Sequence, residues 1–306
     1  MKIRSVKIFV ILLSAVFFNF SSCDKGVDPN ILNYHNRILF TSKQSGKPQL
    51  YMMNPDGSDI IQITSGQYGH WSGVWSWDAT KIVCNTNEGL TSAGEPIVVM
   101  NVDGTGRTLL NVFGGPMGWS PDGKKIAFTS CPTCEGGELS SYIFLINPDG
   151  TGLEQLTKKV IDRQWDSNPN WSPDGKYIAY VSNINTQLGD IYTIEVQTGA
   201  IKRITFADSA GYGSPRWSPN GTKFAFNYSG NAMIMNANGN EIKSLTSISG
   251  SYIGPKAWSP NGTQLALTSI SLDGMSRDSV YTINVDGTGL KKLSVNISHI
   301  LVDWSK

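Results

Sequence analysis

One five-residue phrase recurs along the chain: Trp119-Ser-Pro-Asp-Gly123, Trp171-Ser-Pro-Asp-Gly175, Trp217-Ser-Pro-Asn-Gly221 and Trp258-Ser-Pro-Asn-Gly262. A degenerate copy is Trp75-Ser-Trp-Asp-Ala79, and Trp304-Ser305-Lys306 is a truncated one. Consecutive tryptophans stand 41 to 52 residues apart. A repeat of that length is one supersecondary unit that cannot bury its apolar surface alone, so the units must stack. Pro presets φ at the first turn corner, Asp or Asn suits the second, and Gly accepts a left-handed conformation without a steric penalty.

Apolar runs follow the turn: Lys125-Ile-Ala-Phe128, Tyr177-Ile-Ala-Tyr180, Lys223-Phe-Ala-Phe226 and Gln264-Leu-Ala-Leu267. Being apolar on both faces, they read as strands buried between two sheets, with the small Ala allowing a close approach. Third strands come next, among them Ile97-Val-Val-Met100 and Ile191-Tyr-Thr-Ile194. Several lead into Asn-x-Asp-Gly turns such as Asn147-Pro-Asp-Gly150, a strong hairpin signal. Short charged runs ending in Leu-Thr or Ile-Thr, such as Glu154-Gln-Leu-Thr157, suit an exposed rim strand. With an inner strand before each tryptophan, the unit is four antiparallel strands. The fold expected is all-β, a six-bladed β-propeller over residues 37–306. Arg37-Ile-Leu-Phe-Thr-Ser42 matches a second strand with no turn before it, and His299-Ile-Leu-Val-Asp-Trp304 matches an inner strand. The two segments complete each other, so the ring is expected to close by pairing N- and C-terminal strands in one blade.

The WSPDG-K-x-I-A-F unit, followed by I-Y-x-M-N-x-D-G-T and L-T, resembles the repeat of TolB-type propellers. The same repeat occurs in the propeller domains of dipeptidyl-peptidase-like proteins. The resemblance implies blades around a central channel and covers nearly everything after residue 36. About a dozen residues separate Cys23 from the first strand, so neither the N-terminal domain of TolB nor a hydrolase domain is expected.

Residues 1–22 read as a signal peptide. Lys2, Arg4 and Lys7 are followed by an apolar run from Ile8 to Phe20 and then by Ser21-Ser22-Cys23. The run is too short to span a bilayer as a helix. Cys23 directly after small residues resembles a bacterial lipobox, with Phe20 where Leu is usual. Lipidation of Cys23 would make the chain an exported, membrane-anchored lipoprotein of the cell envelope. Residues 23–36 are expected to be a tether.

Lys+Arg number 25 and Asp+Glu 24, which excludes a global field for nucleic acid. Both turn types fall on one end of the propeller. The longer connections fall on the other, where binding is expected to reside. The candidate binding residues there are Trp71, Arg163, Trp165, Asp166, Tyr212, Arg216 and Tyr252, with Lys256 nearby. Taken singly, each aromatic is expected to cap its own blade junction; taken together they could form a binding cluster. Cys131-Pro-Thr-Cys134 offers too few ligands for zinc and is expected to be a local disulfide in an exported protein. Cys84 reads as a buried small apolar residue. No nucleophile–base, zincin or phosphate-loop pattern occurs, so neither a metal nor a cofactor is expected. Two function classes remain. One is a non-enzymatic lipoprotein binding an envelope protein, peptide or glycan. The other is a hydrolase or lyase using Asp166 and Asp303 at the channel mouth.

Overall fold

The computed structural model describes residues 34–90, 94–115, 117–131, 140–247, 251–271, 279–293 and 299–306. The N-terminal signal, Cys23 and Cys134 lie outside them. Numbered in chain order, β1 (Ile38–Ser42), β2 (Gln49–Met53) and β3 (Ile61–Gln62) form the outer part of blade 1. Blade 2 is β4 (His70–Trp75), β5 (Lys81–Thr86), β6 (Pro96–Asn101) and β7 (Thr108–Phe113). Blade 3 is β8 (Met117–Trp119), β9 (Ile126–Ser130), β10 (Tyr142–Ile146) and β11 (Glu154–Gln155). Blade 4 is β12 (Asp166–Trp171), β13 (Tyr177–Ser182), β14 (Asp190–Glu195) and β15 (Ile201–Arg203). Blade 5 is β16 (Tyr212–Trp217), β17 (Lys223–Tyr228), β18 (Asn231–Asn236) and β19 (Lys243–Ser244). Blade 6 is β20 (Ser251–Trp258), β21 (Gln264–Ser271), β22 (Ser279–Asn284) and β23 (Lys291–Leu293). The last strand, β24 (His299–Trp304), pairs antiparallel with β1 and supplies the inner strand of blade 1. Six four-stranded antiparallel sheets thus form the ring, closed by the two chain ends as the sequence implies.

The closing blade is pinned at several points. The Arg37 amide donates to the Ser305 hydroxyl at 2.8 Å, and the Ser305 amide returns a bond to the Arg37 carbonyl at 2.9 Å. Ser305 also donates to the Tyr34 carbonyl, and the Trp304 indole donates to Asn36 Oδ1 at 2.8 Å. Tyr34 and Asn36, expected to belong to a tether, are therefore built into the ring.

The core lies between the blades. Ile38, Phe40, Tyr51 and Met53 of blade 1 pack with Ala257, Ala266, Val280 and Leu293 of blade 6. Ala127, Ala179, Ala225 and Ala266 are all fully buried, and a larger side chain at these second-strand positions would push neighbouring sheets apart.

Two local devices repeat. In the tryptophan turns the serine hydroxyl donates to the Asp or Asn two residues on, as from Ser120 to Asp122 at 2.7 Å. It also accepts the amide five residues on, as from Lys125 at 2.9 Å. Gly123 closes the turn onto the Ser120 carbonyl at 3.0 Å with φ of 69°. The degenerate copy keeps this geometry: Ala79 takes the glycine's place at φ 53°, a left-handed conformation that costs an alanine roughly 1–2 kcal/mol. The Leu-Thr motif is a lock. Thr64, Thr157, Thr205 and Thr246 accept the amides of Leu50, Ile143, Ile191 and Ala232 at 2.9–3.0 Å, tying the exit of the outer strand to the third strand.

Candidate functional site

The innermost strands run side by side from the loop end of the ring to the turn end. Three of them carry a bulge three residues before the tryptophan, where Ser72, Asn168 and Ser214 take φ of 50–59°. Small polar residues tolerate that conformation best, and the bulge re-aims the residues that follow. In β20 the corresponding residue is Pro255, whose ring forbids positive φ. There the irregularity moves by one residue: Pro255 pairs with Leu267 and Ala257 with Ala266, leaving Lys256 out of register.

The consequence is a recess of about 80 Å³ at the turn end, lined by residues from all six blades. Its wall is tryptophan: Trp75, Trp119, Trp171, Trp258 and Trp304 are no more than 5 % exposed. Its charged groups are Arg216, Lys256, Asp303 and Lys306. Arg216 donates from Nε to the Lys256 carbonyl at 2.8 Å and from Nη1 to the Pro215 carbonyl at 3.1 Å. Asp303 accepts the Trp75 amide at 2.9 Å, bridging blades 1 and 2. Asn170 does the same for the Trp217 amide at 2.8 Å between blades 4 and 5. The Lys306 ammonium lies on the face of Trp77, whose indole donates to the Trp119 carbonyl at 3.1 Å.

Burial sets the electrostatics here. It pushes Lys256 down to about 8, with the Arg216 charge adding to the effect. It pushes Lys306 down to about 7 against the pull of Asp303. Burial also raises the Asp303 carboxyl, opposed by the amides of Trp75 and Trp304 and by the Lys306 and Arg216 charges.

The sequence-derived candidates separate. Arg216 and Lys256 do not join the aromatics of the loop end; they point into the channel at the opposite mouth, because both lie within two residues of a turn-end tryptophan. Asp166 and Asp303 do not form a pair either. Asp166 starts β12 in blade 4 and Asp303 nearly ends β24 in blade 1, three blades apart around the ring. Their places along the inner strands differ by four residues, roughly 13 Å of rise. Asp166 is buried, accepts Gln164 Nε2 at 2.8 Å, and is raised by burial against hydrogen bonds from Ser182, Thr157 and Gln164. It braces a blade.

The loop-end aromatics are largely engaged. Trp165 lies over Gly189, where a Cβ would run into its ring, and its amide donates to Asn183 Oδ1 at 2.9 Å. Tyr212 packs on Tyr228 and Phe226, with ring centroids 4.6 and 5.7 Å away. Trp71 donates to Glu95 at 3.0 Å. Tyr252 is half-buried, with its ring beside Gly254 and its hydroxyl toward Gly213. Arg163 is exposed at φ 54°. Cys84 is free and buried; Cys131 is disulfide-bonded, while its expected partner Cys134 lies outside the described residues. Among the described residues no group of three His, Cys, Asp or Glu is placed to hold a metal ion.

Sequence reasoning missed Asn170 and Trp77. Asn170, Arg216 and Asp303 each stand just before a tryptophan and share one register in the lining of the recess. Trp77 stands where intact repeats carry proline.

Similar proteins agree with this architecture. The TolB beta propeller domain matches residues 94–296. An uncharacterized protein of Agrobacterium fabrum is 32% identical over 159 residues, 51% of this chain and 49% of that protein. The Tol-Pal system protein TolB of Francisella tularensis subsp. mediasiatica is 41% identical over 71 residues, 22% of this chain and 16% of that protein. These matches span half or less of the curated relatives' length. The crystal structure of TolB from Acinetobacter baumannii superposes with a TM-score of 0.71 at 21% identity, covering 88% of this chain and 66% of that one. With six blades of the WSPDG repeat and a family match across most of the ring, the chain belongs to the TolB beta propeller domain family.

Proposed function

We propose that the chain is a non-enzymatic propeller of the bacterial cell envelope that binds a protein or peptide partner at the turn-end mouth of its channel. In this reading the N-terminal signal exports it and a lipid on Cys23 holds it to a membrane. The observation that carries the binding role is the convergence of Arg216, Lys256, Asp303 and Lys306 in a tryptophan-walled recess on a rigid ring. A relative named as a Tol-Pal system protein supports a protein partner. The distance between Asp166 and Asp303 removes the carboxylate pair on which a hydrolase or lyase reading rested. Paired-carboxylate chemistry such as glycoside hydrolysis needs the two groups within about 5–9.5 Å of each other.

A photoreactive amino acid placed at Pro219 on the mouth rim, and separately at Arg163 on the loop end, tests the site in the native envelope. Adducts from Pro219 and none from Arg163 are expected. The reverse pattern moves the partner to the loop end. Cys23→Ala should release the chain from the detergent phase, and a wild-type chain already absent from that phase ends the lipoprotein part.

A further inference from the structure

We infer that the turn-end mouth is a carboxylate-binding site, built to seat an acidic side chain or the C-terminus of a peptide. This deepens the reading above and rests on its choice of the turn end. Four observations support it.

The first is charge balance. Three cations, Arg216, Lys256 and Lys306, share the recess with one carboxylate, and Asp303 spends an oxygen on the Trp75 amide. Basic side chains outnumber the carboxylate in a partly buried site, where an anion is attracted more strongly than in bulk solvent.

The second is directed donors. Arg216 is held by its Nε and Nη1 bonds to Lys256 and Pro215, which fixes the guanidinium plane while leaving Nη2 for a ligand. The β20 irregularity presents Lys256 to the same space.

The third is the indoles. Trp119 and Trp258 donate across blades to the Val74 and Arg216 carbonyls at 3.2 and 2.9 Å. The indole N–H groups of Trp75, Trp171 and Trp217, residues of the same wall, are buried and have no acceptor among the described residues. Three buried donors without a partner beside the recess favour an occupant that brings acceptors. The depressed Lys256 agrees, since burial and the Arg216 charge lower it and no anionic neighbour opposes them.

The fourth separates peptide from acidic glycan. Sugar rings are held by stacking on open aromatic faces, and five of the wall tryptophans are no more than 5 % exposed. Trp77, another residue of the lining, is covered by Lys306. A recess of about 80 Å³ has room for a carboxylate on its methylene stem.

The test uses the full propeller and titrates acetyl-Gly-Glu-Gly-amide, its Gln counterpart and galacturonate, read by calorimetry and tryptophan fluorescence. The Glu peptide should bind at least about tenfold more tightly than the Gln peptide, the scale of a charge-assisted hydrogen bond. Arg216→Gln and Lys256→Met should each weaken it by a similar factor. Asp303→Asn should tighten it, because Asn still accepts the Trp75 amide while the competing charge is gone. That opposite sign cannot come from misfolding, and thermal unfolding of each variant checks the fold. Equal binding of Glu and Gln peptides, no binding of either, or preference for galacturonate overturns the inference. Glu-peptide binding that obeys these variants, combined with crosslinks only from Arg163, keeps the carboxylate site and rejects the partner reading.

Discussion

Asp303 in the last strand accepts the backbone amide of Trp75 in the next blade at 2.9 Å. The carboxylate therefore welds blade 1, assembled from both chain ends, to blade 2. Asp303→Ala leaves that amide without a partner and should cost about 1.5–3 kcal/mol, the range for hydrogen bonds to a charged group. Asp303→Asn should cost less. Deleting 297–306 removes the inner strand of blade 1, exposes the edge of β1 and opens the ring. Thermal unfolding should then fall well below that of any point variant, and an unchanged transition would show that closure contributes nothing.

The threonine lock gives a second expectation. Thr205 accepts the Ile191 amide at 2.9 Å and donates to Asp190 Oδ1 at 3.0 Å. Thr205→Val keeps the shape and orphans that amide, so urea denaturation should show a loss of about 1–3 kcal/mol. Thr205→Ser, which keeps the hydroxyl, should recover most of it.

A third concerns acid. His70 is buried between Gln49 Oε1 at 3.2 Å and Arg107 Nη2 at 3.0 Å, and Arg107 pairs with Glu88. Burial, then the Arg107 charge, lowers its pKa from 6.5 to about 4. Between those values the unfolded chain binds a proton that the folded chain refuses, so stability falls as pH drops from about 6.5 to about 4. His70→Gln should flatten that part of the stability curve. An identical slope in the variant would assign the acid sensitivity elsewhere.

The channel lysines act in the opposite range. Lys256 and Lys306 carry depressed pKa values of about 8 and about 7, against 10.5 when unfolded. Over that interval the unfolded chain again holds more protons, so their contribution makes the fold more stable as pH rises. Lys256→Met should reduce the rise between about pH 8 and 9.5, below the range where buried tyrosines begin to oppose it. The same deprotonation should weaken carboxylate binding on passing from pH 6 to 9. Affinity that grows with pH would contradict the role given to the lysines.

Much of the molecule was legible from the chain alone. Tryptophan spacing, turn residues and alternating apolar runs depend on local backbone preference and burial, which act at short range and repeat six times. They determined strand type, blade number, which turns share an end, and the pairing of Arg37–Ser42 with His299–Trp304. The placement of charge was not legible. Arg216 and Asp166 both sit on inner strands, yet one faces the channel mouth and the other braces a blade. Which way each points depends on the bulges at Ser214 and Asn168 and on where the next blade lies. Lys256 enters the channel because Pro255 cannot adopt the left-handed conformation that Ser72, Asn168 and Ser214 take. Arg216, Lys256 and Asp303 meet because three separate blades converge at one mouth. Local sequence carries backbone preference; only closure of the ring brings distant side chains within reach, and the electrostatics of the site exist only there.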